Sequence, residues 1–184
     1  MVTIRPYQEK DYEYVRAICM GRAEPPETID EGTLKSLIIY FDYYVEQEPQ
    51  NCFVAEGDGK LLGYVICAED YRAYAKKYKR VYMPRIRKYG IKASLEARES
   101  TLAHRILARK YPAHLHIDVL DGYRSLGLGS KLIDALCEHL KSSGVKGLML
   151  TVAPKNKRGA HFYEKYGFKL IGNFPGAITF GIKL

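Results

Sequence analysis

The sequence predicts a mixed α/β (α+β) protein in which helices pack against one central sheet. Three observations carry that prediction. First, the apolar patterns run in the order strand, helices, hairpin, helices and then β-α-β-α-β. Second, 184 residues with 47% hydrophobic and 27% charged side chains are the proportions of a globular chain, and the length fits one domain over residues 1–184. Third, apolar runs such as Leu37–Phe41 are far too short to span a bilayer. A chain of this length hides roughly two-thirds of its unfolded surface, so it needs neither disulfide nor metal to fold.

Val2–Ile4 reads as a short strand, with Pro6 closing it. Asp11 is placed to cap a helix through Met20, where Tyr14, Val15 and Ile18 share a face and Gly21 follows. Asp30 is placed to cap a second helix through Leu34, Leu37, Ile38, Phe41 and Val45, ended by Pro49. Asn51–Ala55 and Leu61–Ala68 form a hairpin about a Gly57-Asp58-Gly59-Lys60 turn. Asp70–Tyr111 reads as an inserted helical block with a break near Pro84 or Gly90 and a second helix from about Ser94 to Arg109. Ala113–Leu120 alternates as a strand. Gly127-Leu128-Gly129 opens a helix over Ser130–Lys141, with Leu132, Ile133, Leu136 and Leu140 on one face. Gly147–Val152 is a strand, Asn156–Tyr166 a helix, and Phe168–Ile171 and Ile178–Leu184 are the last strands. An exposed final strand, Ile178–Leu184, would allow two copies to pair as a homodimer.

Charge and cysteines narrow the function classes. Lysine and arginine total 29 against 21 acidic residues, a net +8 that suits an anionic partner. From Tyr71 to Lys92 there are nine basic residues, no acidic ones and five tyrosines. Such interleaving can bind single-stranded nucleic acid, but a solvated helix pair anchored by its tyrosines is the preferred reading. The cysteines at 19, 52, 67 and 137 form no CxxC pair, which argues against a zinc ribbon and a secreted disulfide scaffold. No signal-peptide core follows Met1. The expectation is a soluble protein of the reducing cytoplasm, with no membrane association.

The informative stretch is a strand that runs into a glycine-bearing turn and then a helix, from Leu115 to Gly129. Free N–H groups in a first helical turn, with the helix dipole behind them, make an anion site, and a pyrophosphate would fit. The turn lacks the Gly-Lys pair of a Walker A loop and the third glycine of a dinucleotide fingerprint. What it contains is R-x-x-G-x-G, as Arg124-Ser125-Leu126-Gly127-Leu128-Gly129. Beyond the next strand comes a second pattern, Asn156 through Ala160 to Phe162-Tyr163-Glu164-Lys165-Tyr166-Gly167-Phe168.

These two patterns, in this order and context, resemble the signatures of the GNAT superfamily of N-acetyltransferases, most sharply from about Ala113 to Ile171. Within it, Tyr111-Pro112-Ala113-His114-Leu115-His116-Ile117-Asp118 and the long insertion before it are similar to the acetyltransferase-like region of O-GlcNAcases. The resemblance implies a mostly antiparallel sheet with one splayed strand pair, and acetyl-CoA as co-substrate. It implies that backbone groups of Val119 and Leu120 bond the pantetheine arm. The amides from Arg124 to Ser130 would take the pyrophosphate, Asn156 would contact the cofactor arm, and Ala160 would leave room for it. It also matches Tyr163 to the tyrosine that protonates the departing thiolate. A phenol with pKa about 10 is chemically suited to that task, and the acid role is preferred to the alternative of a buried packing tyrosine.

An acceptor amine must lose a proton. His114, His116 and Asp118 share one face of a strand, and a polar face in a core sheet implies a cleft. Asp118 or His116 is the candidate general base, with a purely structural hydrogen-bond network as the alternative. His-x-His-x-Asp can also converge on an ion, but no further ligands are evident, so no metal is expected. These residues together point to direct acetyl transfer to the amine of a small molecule or peptide. The rival is a CoA-binding module without turnover.

Overall fold

The computed structural model describes residues 1–184. Its strands are β1 (Val2–Pro6), β2 (Phe53–Gly57), β3 (Lys60–Ala68), β4 (Ala113–Val119), β5 (Gly147–Val152), β6 (Lys169–Phe174) and β7 (Ala177–Lys183). The helices are α1 (Tyr12–Cys19), α2 (Glu31–Tyr40), α3 (Asp42–Gln47), α4 (Tyr71–Lys77), α5 (Met83–Arg87), α6 (Gly90–Ser100), α7 (Leu102–Leu107), α8 (Leu128–Ser142) and α9 (Lys157–Tyr166). The strands make one sheet in the order β1-β2-β3-β4-β5-β7-β6, and only the β4–β5 pair is parallel.

That parallel pair determines the site. It is registered only at Ala113↔Leu148 and His114↔Met149, and beyond those residues the strands diverge. Each is held by its other neighbour: β4 pairs with β3 from Ala68↔His114 to Gly63↔Val119, and β5 pairs with β7 along its full length. The splay therefore opens a cleft without leaving either strand unsupported. Close approach of β3 and β4 at the cleft end requires Gly63, where an added Cβ would lie 2.9 Å from the Asp118 carbonyl oxygen. The β2–β3 hairpin turns on Asp58 and Gly59, both with positive φ (50° and 73°), the conformation favoured in tight two-residue hairpins.

The two sheet faces carry separate cores. On one, Leu128, Leu132, Ile133, Leu136 and Leu140 of α8 recur at helical spacing and pack on Val65, Leu148 and Phe180. On the other, Phe41, Tyr43, Tyr64, Tyr82 and Ile86 are buried beneath α1–α6. Burial of each such side chain contributes about 1.5–3 kcal/mol.

Several boundaries differ from the sequence reading for visible reasons. The expected helix from Asp30 to Val45 is interrupted at Phe41 (φ −128°, ψ −56°). The break sends the Phe41 ring inward, edge-on to Tyr64 at 5.7 Å, and buries Asp42 against Arg16 and Arg85. Pro84 does not break the inserted block. It is the second residue of α5, and the reversal comes at Tyr89–Gly90, with Gly90 at φ +93°. A widened π turn, Tyr78–Tyr82, joins α4 to α5.

The tyrosines of this block point inward. Tyr71, Tyr74, Tyr78 and Tyr82 form a stack with successive centroids 6.0, 5.0 and 5.6 Å apart, and all four are buried. Their rings cannot stack on bases, which removes the aromatic half of a single-strand binding surface. The final strand is also not an edge. β7 lies between β5 and β6, so the expectation that Ile178–Leu184 is exposed for subunit pairing is corrected; β1 and β6 are the sheet edges. No helix is long and apolar enough to cross a membrane.

Candidate active site

The corner after β4 is built from backbone. Asp121–Leu126 form a 3-10 turn, Gly127 takes the left-handed conformation at φ +71°, and α8 begins at Leu128. The Lys131 N–H bonds the Gly127 carbonyl, so the N–H groups of Leu128, Gly129 and Ser130 have no partner one turn back. No side chain caps this end. Arg124 ties the turn to the strand: its Nε donates to the Val119 carbonyl at 2.9 Å while its guanidinium pairs with Asp121 at 2.6 Å. Gly129 lets α9 approach, because a Cβ there would meet Phe162 at 3.0 Å.

Together these elements enclose a cavity of about 210 Å³, walled by Ile117 and Val119 on β4, Gly127 and Gly129 at the corner, and Asn156 and Tyr163 beyond β5. Arg124 and Arg158 add positive charge to the wall. Of the sequence-predicted cofactor residues, Val119, Arg124, Gly127, Gly129 and Asn156 line this cavity. Ser125 and Leu126 are exposed on the 3-10 turn. Leu128 buries its side chain in the core, so it can offer only its amide. Ala160 packs half-buried on the α8 side of the sheet.

Leu120 departs from its expected role. Its N–H bonds the Leu62 carbonyl at 2.9 Å and is spent on β3. Alternate residues of an antiparallel strand turn their polar groups to opposite sides, so the backbone groups that face the splay belong to Val119 and Ile117. The Val119 carbonyl is already engaged by Arg124, which leaves its N–H for a ligand. Asn156 is also partly committed. Its side-chain oxygen caps α9 by accepting the Gly159 N–H at 2.9 Å, and its amide nitrogen remains available.

The polar face of β4 divides in two. His114 is fully buried with both ring nitrogens unpartnered, packed by Tyr74 at 4.6 Å and His104 at 4.4 Å. It does not join the cleft. His116 and Asp118 do reach solvent, at 37% and 36% side-chain exposure. The fully buried Tyr64 links them: its hydroxyl donates to Asp118 Oδ2 at 3.0 Å and lies 2.9 Å from His116 Nδ1. The phenol has one proton and gives it to Asp118, so neutral His116 carries its hydrogen on Nδ1 and keeps a lone pair on Nε2. Cys19, the last residue of α1, stands beside this group, with the donor atoms of Cys19, His116 and Asp118 all within 4.8 Å of one another.

Burial, with a smaller contribution from the Asp118 charge, pushes the Tyr163 phenol well above its ordinary pKa, so it holds its proton at neutral pH. Burial likewise pushes the Cys19 thiol up to about 11. Sequence reasoning missed Tyr64 and Cys19. Tyr64 sits in an apolar strand, and only the register Tyr64↔Asp118 shows that its hydroxyl meets a polar partner.

The Acetyltransferase (GNAT) family model matches residues 12–168. The chain belongs to the GNAT family. It is 26% identical to the Protein O-GlcNAcase of Rattus norvegicus over 198 residues, covering 95% of this chain and 21% of that protein, so it spans about a fifth of that relative. It is 27% identical to N-alpha-acetyltransferase 30 of Schizosaccharomyces pombe over 169 residues, covering 91% of this chain and 84% of the relative. The crystal structure of SsHAT shares the fold at TM-score 0.83 and 24% identity, over 99% of this chain and 98% of that one.

Proposed function

We propose that this GNAT protein moves an acetyl group from acetyl-CoA directly to an amine. The observation that supports this most is the meeting of unpaired α8 amides, the Val119 N–H and the Tyr163 hydroxyl around one cavity between β4 and β5. The amides of Leu128, Gly129 and Ser130, with Arg124 beside them, suit a pyrophosphate. The Val119 N–H suits the pantetheine arm or the thioester oxygen, where a fixed donor steadies the developing oxyanion. Tyr163 and Asn156 line the other wall.

The chemistry balances without an acyl-enzyme. A neutral amine nitrogen attacks the thioester carbon, the carbon–sulfur bond breaks, and the leaving sulfur takes the Tyr163 proton. His116 or Asp118, held by Tyr64, accepts the proton that the amine sheds. The Asp118 charge also attracts a cationic amine. A peptide α-amine is supported as acceptor class by the name of the fission-yeast relative, and a small-molecule amine fits the same site. The four free cysteines suit a reducing compartment such as the cytoplasm. A non-catalytic CoA-binding module gains no support, because the cavity retains both a proton donor and a proton acceptor.

Calorimetry with acetyl-CoA tests the cofactor assignment. Wild type should bind, and Gly127→Val should lose about 100-fold in affinity, because a β-branched residue resists positive φ and fills the corner. Thermal unfolding of the variant must remain cooperative. Undiminished affinity would remove the pyrophosphate from this corner.

A further inference from the structure

The cluster beside the base has more donors than proton transfer requires. Cys19 ends α1, while His116 and Asp118 are alternate residues of β4, so three ligand types arrive from two rigid elements. We propose that Cys19, His116 and Asp118 form a site for a borderline-soft divalent cation such as Zn²⁺, with one coordination position open to the cleft.

The donor set is the first argument. Thiolate, imidazole and carboxylate are the groups that zinc takes, and three protein ligands plus one open position are typical of accessible zinc sites. Geometry is the second. Tetrahedral bonds of about 2.0–2.3 Å place ligand atoms roughly 3.3–3.8 Å apart. The ligand atoms of all three side chains lie within 4.8 Å of one another, close to that span. The supporting shell is the third. Tyr64, fully buried, hydrogen-bonds Asp118 and His116 and orients both, as outer partners do at metal centres. Access is the fourth: each of the three ligands is partly exposed, whereas the other cysteines, at 52, 67 and 137, are buried.

Occupancy would have a consequence that rests on the function proposed above. The ion would take the lone pairs with which His116 or Asp118 accepts the amine proton. Zinc should therefore inhibit competitively against the amine and leave acetyl-CoA affinity unchanged.

Titration of the full-length protein with Co²⁺ reads the site without reference to activity. One equivalent should produce a near-ultraviolet sulfur-to-cobalt charge-transfer band together with intense tetrahedral visible bands, and Zn²⁺ should displace both. Cys19→Ser should abolish the charge-transfer band, and His116→Gln should weaken Zn²⁺ binding by about tenfold or more. Tyr64→Phe should weaken it by a similar factor without removing the band. Acetyl-CoA calorimetry on each variant confirms that it is folded. A band that survives Cys19→Ser, or no band with Co²⁺ in excess, overturns the site. Zinc that binds without slowing turnover upholds the site and overturns the base assignment instead.

Discussion

The corner before α8 and the inserted helices α4–α7 use opposite strategies with the same polypeptide chemistry. At the corner, main-chain N–H groups are left without partners and side chains are small or turned away, so the backbone itself is the binding surface. In the insertion, backbone bonds are satisfied within helices and the binding is internal: tyrosine rings stack on one another and on His114. Glycine marks the first region and tyrosine the second. The difference teaches that an aromatic- and cation-rich segment can be purely architectural, while the region that handles ligand looks sparse. It predicts that substitutions in one region change turnover and that substitutions in the other change stability.

The largest expected effect lies on the catalytic side. Tyr163→Phe removes one hydroxyl from the cleft wall and leaves the ring packing on Phe168 and Phe180 intact. If the phenol protonates the leaving thiolate, kcat should fall by about 10²–10⁴-fold, the range for a positioned acid. The Kd for acetyl-CoA should change little. Steady-state kinetics beside calorimetry separates the two, and an equal loss in both would make Tyr163 a packing residue.

The insertion should show the reverse. Tyr74→Ala deletes a buried ring that sits 4.3 Å from Tyr43, 4.6 Å from His114 and 5.0 Å from Tyr78. Loss of a buried aromatic costs about 3–5 kcal/mol. Urea unfolding should show that loss, while acetyl-CoA affinity in the folded fraction stays near wild type. A variant of normal stability but weak affinity would mean that the insertion reaches the cofactor after all.

The same contrast explains what was legible in the sequence. Helices such as α8 announce themselves because their apolar residues repeat every three to four positions and face one core. The anion corner was legible because positive φ at Gly127 and close approach at Gly129 admit few other residues. Register was not legible. Nothing local to β4 reveals that Leu120 spends its N–H on Leu62, or that His114 faces a tyrosine cage while Asp118 lines the cleft and His116 reaches solvent beside it. Those facts depend on β3 and on helices more than forty residues before it in places, and pairing across such distances leaves no mark in a single strand. The break at Phe41 was hidden for the same reason: its cause is the Tyr64 ring on another element.

The subtlest difference between the two regions is in proton binding. His104 and His114 stack at 4.4 Å in the aromatic cage, and burial holds both in the neutral form. For His104 the native pKa falls to about 4 from an ordinary 6.5. The unfolded chain therefore binds a proton more readily than the native chain throughout that window. Its contribution to stability is fully present above pH 6.5 and is lost as the pH falls towards 4. Between pH 7 and pH 5 the loss is on the order of 2 kcal/mol. Chemical unfolding at those two values should show a drop in wild type that His104→Phe reduces by about that amount, since phenylalanine carries no titrating nitrogen into the cage. A wild-type drop that persists undiminished in His104→Phe would place the acid sensitivity outside the insertion.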